Sequence, residues 1–138
     1  MQAAFALLTL TFLIPSLSYF FTPGTAVAQF RSLGALLGSP QYPFAEDGHL
    51  WRILAFGNVF TLGTMTAMMA YDIRRNHALI PAFWVLKACS AFGYLWVFVL
   101  QLRYPVFLAV FLLDSVVLVA VPLLGHRARR AALAFDAA

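Results

Sequence analysis

Two ionisable side chains, Lys87 and Asp114, stand inside long apolar stretches of this sequence. A charged group at the centre of a membrane helix costs roughly 2.5 to 3.5 kcal/mol on insertion scales, so such groups are rare and usually face a partner inside a helix bundle. An ammonium and a carboxylate can neutralise each other, bind a polar ligand or carry a proton. Their chemistry therefore depends on whether the two groups meet.

Further polar side chains have the spacing needed to join these two. Helical spacing places Ser90 and Tyr94 on the stripe that carries Lys87, and it places Asn58 and Thr61 on one stripe of another segment. We expect a narrow polar centre, in which the charged pair either fixes helix register or contributes to a binding site. The predicted members of this intramembrane polar centre are Lys87, Asp114, Asn58, Thr61, Ser90 and Tyr94.

The segments that carry these residues have the composition of membrane helices. Of 138 residues, 63% are hydrophobic and 10% are charged, whereas an ordinary soluble domain has roughly a quarter charged residues. Four segments come close to the roughly 20 residues that a membrane helix needs. The sequence predicts an all-α integral membrane protein with a single membrane domain over residues 1–138, folded as an antiparallel bundle of four transmembrane helices. The predicted spans are residues 3–21, 50–71, 79–101 and 105–125.

The depths of Lys87 and Asp114 in the last two spans predict that they form an ion pair. The connection between those spans, residues 102–104, is short enough to make the two helices antiparallel neighbours. Counted from the same end of the bundle, Lys87 lies about 12 Å deep and Asp114 about 15 Å deep, at about 1.5 Å per residue. The difference is within side-chain reach.

The loop between the first two predicted spans, residues 22–49, contains a candidate interfacial helix. A Thr-Pro-Gly sequence ends the first span, and apolar residues then recur at helical spacing against polar ones. The apolar stripe comprises Ala26, Phe30, Leu33 and Leu37.

The basic residues predict the orientation. Arg74 and Arg75 fall on the same side as the basic cluster 126–130, so the positive-inside rule places both termini in the cytoplasm of a cell (inner) membrane. An alternative is that residues 26–28, Ala-Val-Ala, form the cleavage site of a secretory signal, which would leave three spans. The absence of Lys or Arg before the first apolar stretch favours the uncleaved form.

Other chemistry is disfavoured. One cysteine, Cys89, excludes an internal disulfide, and the scattered basic residues do not predict nucleic-acid binding. Glu46, Asp47 and His49 offer three metal-ligating side chains within four residues, but their spacing matches no metal motif. The two acidic residues suit the positive N-terminus of the second span. Common enzyme signatures are absent. We predict no catalytic residue, no metal site and no cofactor.

Three function classes remain. The favoured one is a non-enzymatic subunit or accessory protein, whose partners are the lipid bilayer and other membrane subunits or further copies of itself. The second is a small proton-coupled transporter in which Asp114 titrates. The third is a membrane enzyme or lipid-binding protein that uses the polar centre as a pocket. Transporters usually have broken helices or repeated halves around a midplane site, and this sequence offers neither at its charged residues.

Overall fold

The computed structural model describes residues 2–39 and 49–136, which form six helices. The all-helical fold class is confirmed over these residues. The helices are α1 (Gln2–Phe21), α2 (Pro23–Leu36), α3 (His49–Tyr71), α4 (Ile73–Asn76), α5 (Leu79–Leu100) and α6 (Pro105–Asp136). Three of them are long and apolar enough to cross a membrane: α1, α5 and the first 27 residues of α6. These three helices indicate a membrane-embedded protein.

Helix α3 differs from these three in polarity rather than in length. It has 23 residues, and it carries Asn58, Thr61 and Thr64 along its middle. It is not among the helices of the described ranges that are apolar enough to span by composition alone. Glu46 and Asp47 lie outside the described residues, while His49 is the first residue of α3.

Helices α1 and α3 pack along each other in opposite directions. Near the end of α1, the Phe20 ring lies 4.8 Å from the Phe56 ring near the start of α3, measured between centroids. Towards the start of α1, the Thr9 hydroxyl donates a hydrogen bond to Thr66 Oγ1 at 3.1 Å. Residue numbers thus rise along one helix as those of its partner fall, which is the pattern of an antiparallel pair.

A glycine permits the close approach of α1 and α3. A Cβ atom added at Gly63 would lie 2.7 Å from Leu13 Cδ2, which is closer than van der Waals contact allows. Thr66, one turn further along α3, is completely buried and also donates to the Leu62 carbonyl oxygen at 3.1 Å. Small residues at such a contact let membrane helices approach closely enough for dispersion and hydrogen bonding to hold them together.

Helices α5 and α6 form a second antiparallel pair. Beside the loop that joins them, the Tyr94 and Phe107 rings are 5.9 Å apart. At the other end, Ile80 packs directly against Gly125. The short 101–104 connection leaves the two helices no other arrangement than to turn back on each other.

The two pairs share one apolar core, to which all four long helices contribute. Phe12 of α1 and Phe83 of α5 meet with their ring centroids 5.8 Å apart in an edge-to-face arrangement. This geometry is favoured by the ring quadrupoles. The core cluster consists of Phe5, Phe12, Leu62, Met69, Phe83 and Val121.

Helix α2 falls within residues 22–49, where the sequence predicts an interfacial helix, and a glycine ends it. Gly38, at a φ of 82°, adopts the left-handed conformation that favours glycine. The Ser39 amide then donates to the Gly34 carbonyl oxygen at 2.7 Å, and the Gly38 amide to that of Ala35 at 3.1 Å. These two bonds form a Schellman motif, which satisfies the last carbonyl groups of the helix.

The face by which α2 packs differs from the predicted apolar stripe. Ala26 is buried as predicted, but the other buried positions are Val27 and Gly34, while Leu33 and Leu37 are 40% and 43% exposed. The reason lies in Tyr104, which occupies the space that a side chain at position 34 would take. Its hydroxyl donates to the Phe30 carbonyl oxygen at 2.9 Å, and this bond fixes α2 against the loop between α5 and α6.

Helix α6 extends well beyond the predicted end of the fourth span at residue 125. It continues to Asp136 although Pro122 lies inside it. The residues after Gly125 are mostly alanine, arginine and leucine, which have high helix propensity. The basic cluster 126–130 therefore lies on a helix rather than in a tail.

Candidate functional site

Lys87 and Asp114 meet between α5 and α6. Lys87 Nζ lies 2.5 Å from Asp114 Oδ1, and the two side chains are only 8% and 6% exposed. Each residue occupies a position on its helix that faces the other helix, at the depth that the antiparallel α5–α6 pair makes common to both. The structure thus places both charges in the interior, in direct contact.

A serine completes the coordination of the carboxylate. Ser90 lies three residues after Lys87 on α5, and so on the same face of that helix. Its hydroxyl donates a hydrogen bond to Asp114 Oδ2 at 2.9 Å. Both carboxylate oxygens therefore have a partner on α5, one charged and one neutral.

An aromatic ring from α1 covers the ammonium group. The centroid of the Phe12 ring lies 4.9 Å from Lys87 Nζ, a distance at which the negative face of a ring attracts a cation. The same ring packs against Phe83, which is completely buried and one turn before Lys87 on α5. We call Lys87, Ser90 and Asp114, together with the covering Phe12, the ion-pair site.

The other predicted members of the polar centre lie elsewhere. Tyr94 is on α5 but further along it, half-buried, with its ring against Phe107. Asn58 and Thr61 are on the exposed side of α3, where the Thr61 hydroxyl donates to the Gly57 carbonyl oxygen of its own helix at 2.7 Å. The structure therefore brings together Lys87, Ser90 and Asp114 and leaves the remaining three outside.

The rotation of α3 explains why Asn58 and Thr61 are not at the ion-pair site. The opposite face of α3, which contains Leu62, Gly63 and Thr66, packs against α1. Because the face with the small residue Gly63 packs inward, the stripe that carries Asn58 and Thr61 points away from the core. The small residues are the sequence signal that favours this rotation.

The contribution of α1 had no clear sequence signal. Phe12 is one of several aromatic residues in an uncharged span, and nothing in its spacing distinguishes it as the one that covers a lysine. The Thr9–Thr66 hydrogen bond likewise had no sequence signal, because threonine hydroxyls in helices often bond to their own backbone instead. The Thr9 hydroxyl also lies 2.8 Å from the Phe5 carbonyl oxygen, so its one proton is shared between that oxygen and Thr66 Oγ1.

The chemistry available at the ion-pair site is that of a neutralised pair. Lys87 is bound by a carboxylate and covered by a ring, and Asp114 is held at both oxygens. Within residues 2–39 and 49–136, no three His, Cys, Asp or Glu side chains come together in a group that could hold a metal ion.

Neither a family model, nor a curated protein, nor a solved structure matches the chain.

Proposed function

We propose that this protein is a non-enzymatic subunit or accessory protein of a cell membrane, which crosses the bilayer four times with both termini in the cytoplasm. The proposal rests on one observation, which is that both carboxylate oxygens of Asp114 are already occupied within the ion-pair site. Because Asp114 is held by Lys87 and Ser90 at its two oxygens, it is engaged in holding α5 to α6. A carrier or an enzyme would need that carboxylate to exchange its partner for a proton or a substrate.

The packing of α3 supports its role as the fourth span. Its 23 residues correspond to about 35 Å of helix, enough to cross the hydrocarbon core. It lies along α1 over most of its length, from Phe56 to Met69. The hydroxyls of Thr61 and Thr64 are directed to carbonyl oxygens of their own helix, which lowers the energy of placing them in lipid.

The basic residues support the proposed orientation. Arg74 and Arg75 belong to α4, which contacts α6. The basic cluster 126–130 extends from the same end of α6 as the Ile80–Gly125 contact. Arginines of two separate segments therefore collect at the end where α1 begins, and the positive-inside rule assigns that end to the cytoplasm.

The exposed side of α3 supports association with another membrane helix. Gly57, Asn58, Thr61 and Thr64 are all exposed there. A carboxamide that faces hydrocarbon loses its hydrogen bonds to water, whereas a polar side chain on a neighbouring helix restores them. We define this set of residues as the α3 polar face. Its partner is a transmembrane helix of another membrane protein that presents small residues and a hydrogen-bonding side chain to Asn58.

Site-specific photocrosslinking in native membranes tests this assignment. A photoreactive side chain at Thr61 is compared with the same side chain at Leu112, which is exposed on α6. We expect the Thr61 position to give a discrete protein adduct and the Leu112 position to give lipid adducts alone. Asn58→Leu should weaken the adduct at Thr61 without lowering the yield of folded protein.

Two results would contradict the proposal. Lipid adducts alone at Thr61 would show that the α3 polar face has no protein partner. An adduct whose mass is twice that of the chain would show that the partner is a second copy, so that the protein forms an assembly of its own rather than serving another one.

A further inference from the structure

A groove opens at the end of the molecule where α1 begins, α3 ends and the late part of α6 passes by. Its volume is about 390 Å³. The floor is apolar and well buried: Phe5 and Met69 are each 1% exposed and Ala128 is 8% exposed. A polar rim surrounds this floor, and it includes Tyr71 and Arg74. The groove is separate from the ion-pair site, which lies deeper in the bundle.

One arginine lines the groove, and two others lie near it along α4 and α6. Arg74 lines it and Arg75 follows on the same short helix. Ala131 of α6 also lines it, and Arg127 lies one helical turn before Ala131, on the same side of α6 and exposed. Arginine is the side chain best suited to bind phosphate oxygens, because its planar guanidinium donates two parallel hydrogen bonds.

One acidic residue also lies at the rim. Asp72 Oδ1 accepts hydrogen bonds from the amides of Arg74 at 2.9 Å and of Arg75 at 3.3 Å, which caps the short helix α4. A carboxylate at this place disfavours a second anion close beside it but accepts a hydrogen bond from a hydroxyl. It therefore suits a headgroup that joins one phosphate to hydroxyl donors.

We propose that this groove binds an anionic phospholipid whose phosphate contacts the arginines of α4 and α6, whose headgroup hydroxyls reach Asp72, and whose first acyl methylenes cover the apolar floor. The exposed Tyr71, which is 88% accessible, has the position of an interfacial aromatic residue beside such a headgroup. The inference requires that the protein be embedded in a membrane, and it does not depend on the partner assigned to the α3 polar face.

The test measures the affinity of the full chain in detergent micelles for phosphatidylglycerol, phosphatidylcholine and inorganic phosphate, by titration and by lipid retention in native mass spectrometry. We expect saturable binding of one phosphatidylglycerol and no comparable binding of phosphatidylcholine. Arg127→Gln should weaken it about tenfold, as the loss of one charge-assisted hydrogen bond predicts. The matched control is Arg129→Gln, on the opposite side of α6 from Ala131, which should leave the affinity unchanged.

A second variant tests the shape of the site independently of charge. Ala131→Trp fills the groove from its rim, where residue 131 is exposed, and should abolish the retention of lipid while leaving the thermal midpoint of the lipid-free protein unchanged. Equal losses from Arg127→Gln and Arg129→Gln would overturn the proposal in favour of diffuse attraction to basic residues. Equal binding of phosphatidylcholine, or binding of inorganic phosphate as tight as that of the lipid, would also overturn it.

Discussion

At the scale of single residues, the ion-pair site illustrates how a membrane protein keeps charges in its interior. Removing one partner of a buried pair leaves an uncompensated charge and costs about 3 to 5 kcal/mol, whereas replacing both by apolar residues of similar size is often neutral or stabilising. Lys87 or Asp114 alone in the interior would therefore strongly destabilise the protein. Ser90 and Phe12 reduce the remaining penalty, one by a hydrogen bond and one by its ring.

The hydrogen bond from Ser90 can be tested against a neighbouring serine. Ser90→Ala removes a donor to a buried carboxylate, so we expect the free energy of unfolding to fall by about 1 to 3 kcal/mol. The control is Ser115→Ala, whose hydroxyl donates only to the Phe111 carbonyl oxygen of its own helix at 2.8 Å, and which should change stability by less than about 0.5 kcal/mol. Chemical denaturation in detergent micelles gives both values. Equal losses would show that the contact with Asp114 contributes nothing specific.

At the residue level, the sequence can position a side chain only where geometry leaves little freedom. A short loop makes α5 and α6 antiparallel, and rise per residue then sets the depths of Lys87 and Asp114. Ser90 follows from helical spacing. Phe12 does not follow from any such count, because it belongs to another helix whose rotation and depth the sequence leaves open.

At the scale of helices, the contacts show two closely packed antiparallel pairs that share one core. The α1–α3 pair depends on a small residue, Gly63, and on the hydroxyls of Thr9 and Thr66. The α5–α6 pair depends on the ion-pair site and on the Ile80–Gly125 contact. Hydrogen bonds and close packing thus stabilise the association of these helices, because the hydrophobic effect does not drive helix association in lipid.

A larger side chain at the α1–α3 contact should separate the two helices. Gly63→Leu places atoms where Leu13 already lies, so we expect it to destabilise the protein by about 1 to 3 kcal/mol. Gly93→Leu in α5 is the matched control, because a Cβ at that position meets nothing within 4 Å apart from its chain neighbours and its own helix backbone. It should leave stability unchanged or slightly higher. Thermal unfolding of both variants in the same detergent decides the matter. A tolerated Gly63→Leu would contradict the close α1–α3 packing.

Helix existence was predictable from sequence, whereas helix rotation was not. In a soluble protein the apolar face marks the interior, but lipid is as apolar as a protein core, so apolar periodicity in a span does not mark its inner face. For this reason Asn58 and Thr61 were predicted at the polar centre but lie on the exposed side of α3. The continuation of α6 past Gly125 was missed because apolarity ends there while helix propensity does not.

At the scale of the whole molecule, the two ends of the helices differ. One end collects the basic residues of α4 and α6 and contains the groove. The other end contains α2, which Tyr104 holds against the α5–α6 loop. This asymmetry fits a chain with a fixed orientation in its membrane, with the basic end in the cytoplasm as proposed. Between the two ends, the ion-pair site links α5 to α6 and, through Phe12, to α1.

We propose that Lys87 and Asp114 stabilise the fold by neutralising each other. The most direct measurement is a double-mutant cycle on Lys87→Met and Asp114→Leu, with the free energy of unfolding determined in detergent micelles. We expect each single variant to lose about 3 to 5 kcal/mol and the double variant to recover to within about 1 kcal/mol of the original protein. Single variants that leave stability unchanged, or a double variant whose loss equals the sum of the two, would contradict the claim and favour a titratable or ligand-binding role for Asp114.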